Sequence, residues 1–283
     1  MAERHFLLPS EVASEFVTIS ESKSNLSLAG KFILGIMAGV YISFAAVASN
    51  AATFQLLNLP GMLGISKLIS ACVFTGGLII VVSCGSELFT GNSLMIIGVL
   101  NKKISIFKML SSWGIVYIAN FLGAVLIASL VFLSGQWDFD KGELGAVTIK
   151  IALAKVSLPP LKVVVLGILC NWLVCLAVWG STAARSIGDK ILAIFFPIMM
   201  FVVSGFEHCV ANMYYIPAGI FAKANPLYVD AAIGLGVSEN ALDKLNFSTF
   251  LMNNLLPATL GNVIGGVIFV GTAYWAVYLL KKR

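Results

Sequence analysis

Apolar residues in this chain fall into long runs separated by short polar segments, the pattern of membrane helices rather than of alternating membrane strands. Residues 32–66 contain no charged side chain and exceed the roughly 20 residues that a crossing requires. Further runs at about 68–101, 107–133, 161–183, 191–222 and 249–280 bring the expected spans to six. The second is interrupted by Thr75-Gly76-Gly77 and again by Ser83-Cys84-Gly85-Ser86-Glu87. The fifth is interrupted at Gly205, at Glu207-His208 and at Pro217. Each predicts two half-helices joined by a non-helical connector, which is tolerated at bilayer depth only where it is buried in protein or lines a cavity. Trp137-Asp138-Phe139-Asp140-Lys141 leads into an expected polar loop over 138–162, and a loop of mixed charge covers 223–247.

The two interruptions share one pattern, G-x-E-x-x-x-x-N, at Gly85 to Asn92 and at Gly205 to Asn212. Leu34-Gly35-Ile36 likewise matches Leu166-Gly167-Ile168, and the stretch from Asn120 to Val125 matches that from Asn262 to Val267. Three matches in one order predict a duplicated three-span unit. An odd number of spans makes the copies enter the membrane from opposite sides, so the halves are inverted and their paired breaks mark a midplane substrate site. The expected fold is an all-α polytopic membrane protein of six transmembrane helices in two inverted three-helix repeats. The repeats cover about 32–135 and 157–280 of a pore domain at 32–283, with helices 2 and 5 interrupted.

Composition agrees: the chain is 59% hydrophobic and 11% charged, against about 25% charged in soluble domains. The net charge of +5 is explained by loop sidedness rather than by an acidic partner, and nucleic acid is not expected. With six spans both termini share a side, which collects Arg4, Lys23, Lys31, Lys102, Lys103, Lys108, Arg185, Lys190, Lys281, Lys282 and Arg283. The other side keeps Lys67, Lys141, Lys150, Lys155, Lys162, Lys223 and Lys244. The positive-inside rule therefore places both termini in the cytoplasm of a multi-pass inner (plasma) membrane protein. Residues 1–31 lack the apolar core of a secretory signal. Pro9-Ser10-Glu11 starts a short helix with Val12, Phe16 and Ile19 on one face, expected to lie at the membrane interface; a frayed terminus is the alternative. The five cysteines sit in apolar runs without metal-type spacing, as packing residues.

Among polar residues inside the spans, His208 is the lone histidine. Withdrawal from water favours its neutral ring and a nearby anion favours the charged one, so it suits either proton sharing with a weak-acid anion or a structural hydrogen bond. Glu87 and Glu207 are expected to support the connectors, capping the second half-helices; binding of substrate protons is the other use. Asn92 and Asn212 satisfy opened backbone or pack. Phe74, Leu78, Phe89 and Phe201 cluster near the breaks, a position that by spacing alone is compatible with plain packing. Gly123, Gly265 and Gly266 are expected at close helix approaches, and Lys155 is either an anion attractor or a hydrated loop lysine.

Rival functions fare worse. A neutral-solute pore of aquaglyceroporin type predicts paired Asn-Pro-Ala motifs, and only an unpaired Asn225-Pro226-Leu227 exists. A membrane enzyme built on Glu207, His208 and Cys209 would need neighbours on a helix, about 100° apart, to converge, and neither a cofactor motif nor a Ser/His/Asp set accompanies them. A scaffolding protein gives no reason for duplicated polar breaks. The chain is expected not to be an enzyme and to need no cofactor.

The stretches from Cys84 to Asn92, from Ser204 to Met213 and from Asn171 to Trp179 resemble the formate–nitrite transporter family, over about residues 10–280. The resemblance implies a homopentamer of aquaporin-like protomers, embedded in lipid, each conducting small monovalent anions such as formate, nitrite or hydrosulfide with protons. It implies that Leu78, on the loop breaking span two, forms one hydrophobic constriction with Phe89, and that Phe74 and Phe201 form the other. It further implies that Thr90 hydrogen-bonds His208 between them, that Lys155 and Asn171 supply electropositive or donor character near the pore, and that Asn262 is a polar pore-lining group. Ser204 to Pro217 and Asn254-Leu255-Leu256-Pro257 look most like formate channels, which makes formate the expected anion.

Overall fold

The computed structural model describes residues 6–280, which are helical or irregular apart from an isolated bridge between Phe6 and Ala184. Arg4, Lys281, Lys282 and Arg283 of the charge argument lie outside the described residues. In chain order the helices are α1 (Pro9–Asn25), α2 (Leu28–Thr53), α3 (Leu63–Ser83), α4 (Gly91–Leu100), α5 (Ile106–Leu133) and α6 (Phe139–Val156). They continue as α7 (Pro160–Ala183), α8 (Ile187–Val203), α9 (Cys209–Ala222), α10 (Pro226–Gly234), α11 (Glu239–Leu242) and α12 (Phe247–Tyr278). Five of them, α2, α3, α5, α7 and α12, are long and apolar enough to cross a membrane; α4 and α9 are shorter apolar helices.

Two expected interruptions are absent. Thr75-Gly76-Gly77 lies within α3, and Pro217 within α9. Gly77 serves packing instead: a Cβ there would come within 2.8 Å of the Ala45 methyl on α2. Pro217 removes one helical hydrogen bond, a loss that membrane helices absorb through their neighbours. Each of these segments is therefore broken once, at residues 84–90 and 204–208.

The expected polar loop over 138–162 is also corrected, because α6 occupies most of it. Asp140, Lys141 and Gly142 have left-handed dihedrals, and the regular helix follows them. Leu144, Ile149, Ala152, Leu153 and Val156 are buried, and α6 packs on α9 and α10. Its lysines masked an apolar face with helical spacing.

Small residues set the closest packing. α2 lies on α5 as α7 lies on α12. A Cβ at Gly39 would collide with the Asn120 carbonyl, and one at Gly123 with that of Ile36. Gly261 and Gly265 meet the carbonyls of Val164 and Ile168 in the same way. Backbone contact of this kind is the use small residues have between membrane helices. α1 turns its buried face, Val12, Ala13, Phe16 and Val17, onto protein, packing against α4, α7 and the end of α12. Phe16 stacks on Trp179 with ring centroids 5.2 Å apart.

Candidate functional site

Both breaks are made the same way. At the end of α3, Ser86 N–H donates to Val81 O (2.9 Å) and Gly85 N–H to Val82 O (3.3 Å). At the end of α8, Phe206 N–H donates to Phe201 O (3.1 Å) and Gly205 N–H to Val202 O (3.0 Å). These paired bonds close a helix only if the residue after the cap is left-handed. Gly85 and Gly205 have φ of +73° and +72°, a region that L side chains resist. The chain then extends, and Glu87 N–H reaches Leu34 O while Glu207 N–H reaches Leu166 O.

Two asparagines hold the extended connectors. Asn120 Nδ2 donates to Gly35 O (2.7 Å) and Glu87 O (2.9 Å), and its Oδ1 accepts from Phe89 N–H (2.9 Å). Asn262 repeats this with Gly167 O (2.8 Å), Glu207 O (2.9 Å) and Cys209 N–H (2.9 Å). The expectation that Asn262 lines the pore is thus corrected: it is fully buried, and both ends of its amide are committed to backbone that would otherwise be orphaned. Asn171 is likewise buried and directs its Nδ2 to Asn262 O (2.6 Å), Ser93 Oγ (3.1 Å) and Thr90 O (3.2 Å). It holds the backbone of Thr90 and offers its donors to protein.

The acids are paired with lysines. Lys23 Nζ, on α1, bonds Glu87 Oε1 (2.7 Å) and Asn92 Oδ1 (2.9 Å), and Asn92 Nδ2 bonds Glu87 Oε2 (2.8 Å). Lys155 Nζ, on α6, bonds Glu207 Oε1 (2.9 Å), while Asn212 and Asn254 donate to Glu207 Oε2 at 2.6 and 3.0 Å. Lys155 also lies 5.4 Å from the centre of the Tyr215 ring. A buried carboxylate is sustained by this combination of ion pair and hydrogen bonds. Lys23 was counted only for its charge and Asn254 only as part of the Asn254-to-Pro257 stretch, and neither was expected to bind an acid. Lys23 sits on a short amphipathic helix where nothing local marks its partner 64 positions away. Asn120 did carry a signal, the repeat match to Asn262.

The cap expected of Glu207 falls to His208. Its Nδ1 accepts from Ala211 N–H at 3.1 Å, at the start of α9. Its Nε2 lies 2.9 Å from Thr90 Oγ1. Because Nδ1 is an acceptor, the neutral ring carries its proton on Nε2 and donates to Thr90. The Thr90 hydroxyl then has its own proton for a second acceptor. Glu207, His208 and Cys209 diverge, since the first two precede the helix: the acid points to Lys155, the ring to Thr90, and Cys209 is held through its N–H.

A cavity lies beside each break. The first, about 580 Å³, is lined by Leu78, Leu88, Gly85, Glu87 and Val178, with Lys23, Ser20 and Phe16 of α1 also on its wall. The second, about 200 Å³, is lined by Phe74, Phe201, His208, Lys155, Glu207 and Tyr215. Leu78 belongs to α3 and not to the connector, one turn beyond Phe74. Hence one helix presents Leu78 to the first cavity and Phe74 to the second. Phe74 and Phe201 meet edge to face at 6.0 Å, and Phe201 lies 5.9 Å from the His208 ring. Phe89 packs edge-on against Tyr117 (4.8 Å) and Trp113 (5.9 Å). Thr90 and His208 are buried, at 0% and 3% exposure.

Comparison with known proteins agrees with this architecture. The formate/nitrite transporter family model matches residues 10–276. The chain is 38% identical to the formate channel FocA of Escherichia coli strain K12, over 98% of this chain and 96% of that one. It is also 38% identical to a probable formate transporter of Methanothermobacter thermautotrophicus, over 97% and 98% of the two chains. Among solved structures, a pentameric formate channel with formate bound superposes with a TM-score of 0.78 at 37% identity, covering 89% of this chain and 98% of the other. An ion channel of the same family superposes at 0.75 with 28% identity, covering 94% and 98%.

Proposed function

The chain belongs to the formate/nitrite transporter family and is an integral membrane protein, and from that premise we propose that it is a pore for small monovalent weak-acid anions, formate first. The observation that carries this reading is the buried Thr90–His208 pair, placed where two helix breaks with their own cavities converge. In this account α2, α3–α4, α5, α7, α8–α9 and α12 are six spans in two inverted repeats. Five copies assemble in the inner membrane, each with its own pore in a surround of lipid, and both termini are cytoplasmic. The first cavity is then the cytoplasmic vestibule and the second the outer one.

The chemistry follows from the cost of dehydrating an anion. Lysines at both vestibules, Lys23 and Lys155, offset that cost at the entrances. Leu78 with Phe89, and Phe74 with Phe201, make two apolar rings that exclude hydrated ions. Between them the anion accepts the hydroxyl proton of Thr90 in a hydrogen bond, polarised by His208 Nε2–H. A weak acid that also takes up a proton from water, its charge meanwhile shared through the Thr90–His208 hydrogen bonds, crosses the next ring as a nearly neutral species. An ion that stays charged, such as chloride, does not. Placing a second proton on Nδ1 would break the bond from Ala211, so the ring works chiefly as a donor through Thr90.

Purified protein in liposomes tests the assignment. Formate flux well above that of protein-free vesicles is expected, with chloride excluded and nitrite and hydrosulfide compared in parallel. No anion flux, or equal flux of formate and chloride, would overturn it.

A further inference from the structure

We propose, building on the anion-pore assignment, that the α2–α3 wall of the second cavity is an anion-coordinating station formed by Asn50 and Ser66, separate from Thr90 and His208. Both side chains line the 200 Å³ cavity. Asn50 is 6% exposed and Ser66 fully buried. Asn50 Nδ2 and Ser66 Oγ nevertheless have no hydrogen-bond partner in the protein. Their neighbours differ: Ser49 Oγ meets Ser70 Oγ at 2.6 Å, and Thr53 Oγ1 donates to Ser49 O at 2.8 Å. Buried polar groups are almost always paired within a folded protein, so two unpaired ones on a single cavity wall point to a ligand that completes them.

The chemistry offered is that of a small oxyanion. An amide and a hydroxyl supply N–H and O–H donors that replace waters of hydration. The cations Lys67 and Lys155 stand on the same cavity, the latter paired with Glu207. Asn212 Oδ1, also unpaired and on that cavity, is an acceptor suited to a retained water or to the O–H of the protonated acid. Ser66 precedes Phe74 by eight residues on α3, about 12 Å along a helix. The station therefore stands about two turns outward of the Phe74–Phe201 ring, where an anion must begin to shed water.

Formate flux in liposomes, measured against formate concentration, tests this with Ser66→Ala, Asn50→Leu and Asn50→Asp, each first confirmed to keep the assembly state of the parent protein. Losing one donor should raise the half-saturating concentration about three- to tenfold and leave the pH profile of the flux unchanged. Asn50→Asp keeps the shape but sets acceptors where a donor stood, and it should impair flux more than Asn50→Leu. Half-saturation within twofold of the parent in both Ser66→Ala and Asn50→Leu would overturn the station, as would equal effects of Leu and Asp at position 50. If the Asn50 variants fail to assemble, Ser66→Ala decides alone. Absence of flux in the parent protein would instead remove the pore assignment, and the station with it; normal parental flux with indifferent variants removes the station only.

Discussion

Thr90 Oγ1 and His208 Nε2 lie 2.9 Å apart across 118 positions of sequence. The contact joins the two broken helices at their equivalent points, yet the two residues are not equivalent to each other. Thr90 lies three positions after the first acid and His208 directly after the second. The two breaks share one sequence pattern, and where that pattern differs it puts a hydroxyl on one side and an imidazole on the other.

The histidine has two separable tasks, capping α9 and donating to Thr90. Asn is a good N-cap residue and Phe is not. His208→Asn should retain most of the stability of the parent, whereas His208→Phe should lose about 1 kcal/mol more. Thermal unfolding midpoints in detergent would order the parent, Asn and Phe variants; equal midpoints for Asn and Phe would mean that the Ala211 bond contributes nothing.

The two acid–base pairs differ in burial. The Lys155 side chain is 18% exposed and that of Lys23 27%, so Lys155→Met strands its acid in the drier place. Breaking a buried pair from one side costs about 3–5 kcal/mol. Lys155→Met should therefore be the more damaging, and adding Glu207→Gln should restore much of the loss. The same thermal midpoints read this, with a double variant no better than Lys155→Met as the contrary result.

Asn120 and Asn262 each tie a connector to a neighbouring helix, binding one carbonyl and one N–H along the break and one carbonyl of α2 or α7. Replacing either by Asp keeps an acceptor but removes both donated bonds, leaving buried carbonyls unmatched. Each Asp variant should lose about 1–3 kcal/mol or more and assemble in reduced yield, judged by size-exclusion chromatography. Unimpaired Asp variants would show that the connectors stand without them.

Two glycines, Gly123 on α5 and Gly76 on α3, should respond in opposite ways. Gly123→Ala drives a methyl into the Ile36 carbonyl, whereas a Cβ at Gly76 meets nothing within 4 Å. Overpacking of this sort costs about 1–3 kcal/mol, and Gly76→Ala should be neutral or slightly stabilising. Unfolding midpoints of the two variants decide it, and indifference at Gly123 would contradict the close α2–α5 approach.

How much of this was readable in the sequence depends on the range of the interaction. The breaks were legible because a left-handed glycine and a buried acid are both unusual inside apolar runs and occurred in two copies. Gly76-Gly77 and Pro217 carried the same local signal without breaking anything, since neighbouring helices can absorb a missing side chain or a missing N–H. Asn262 was singled out, but its use was not legible, because the carbonyls it binds belong to other segments. The partnership of Lys23 with Glu87 was invisible for the same reason. Likewise α6 was hidden by its lysines, which decorate one side of a helix whose other side packs on α9.

The most direct test of the central claim is the pH dependence of formate flux in liposomes, parent against His208→Asn, which keeps the α9 cap and removes the donor to Thr90. After subtraction of protein-free vesicles, parental flux should rise as the pH falls, and the variant should show a smaller flux with a flattened profile. If His208→Asn follows the parent at every pH, the Thr90–His208 pair plays no part in passing the anion, and the account given of it is wrong.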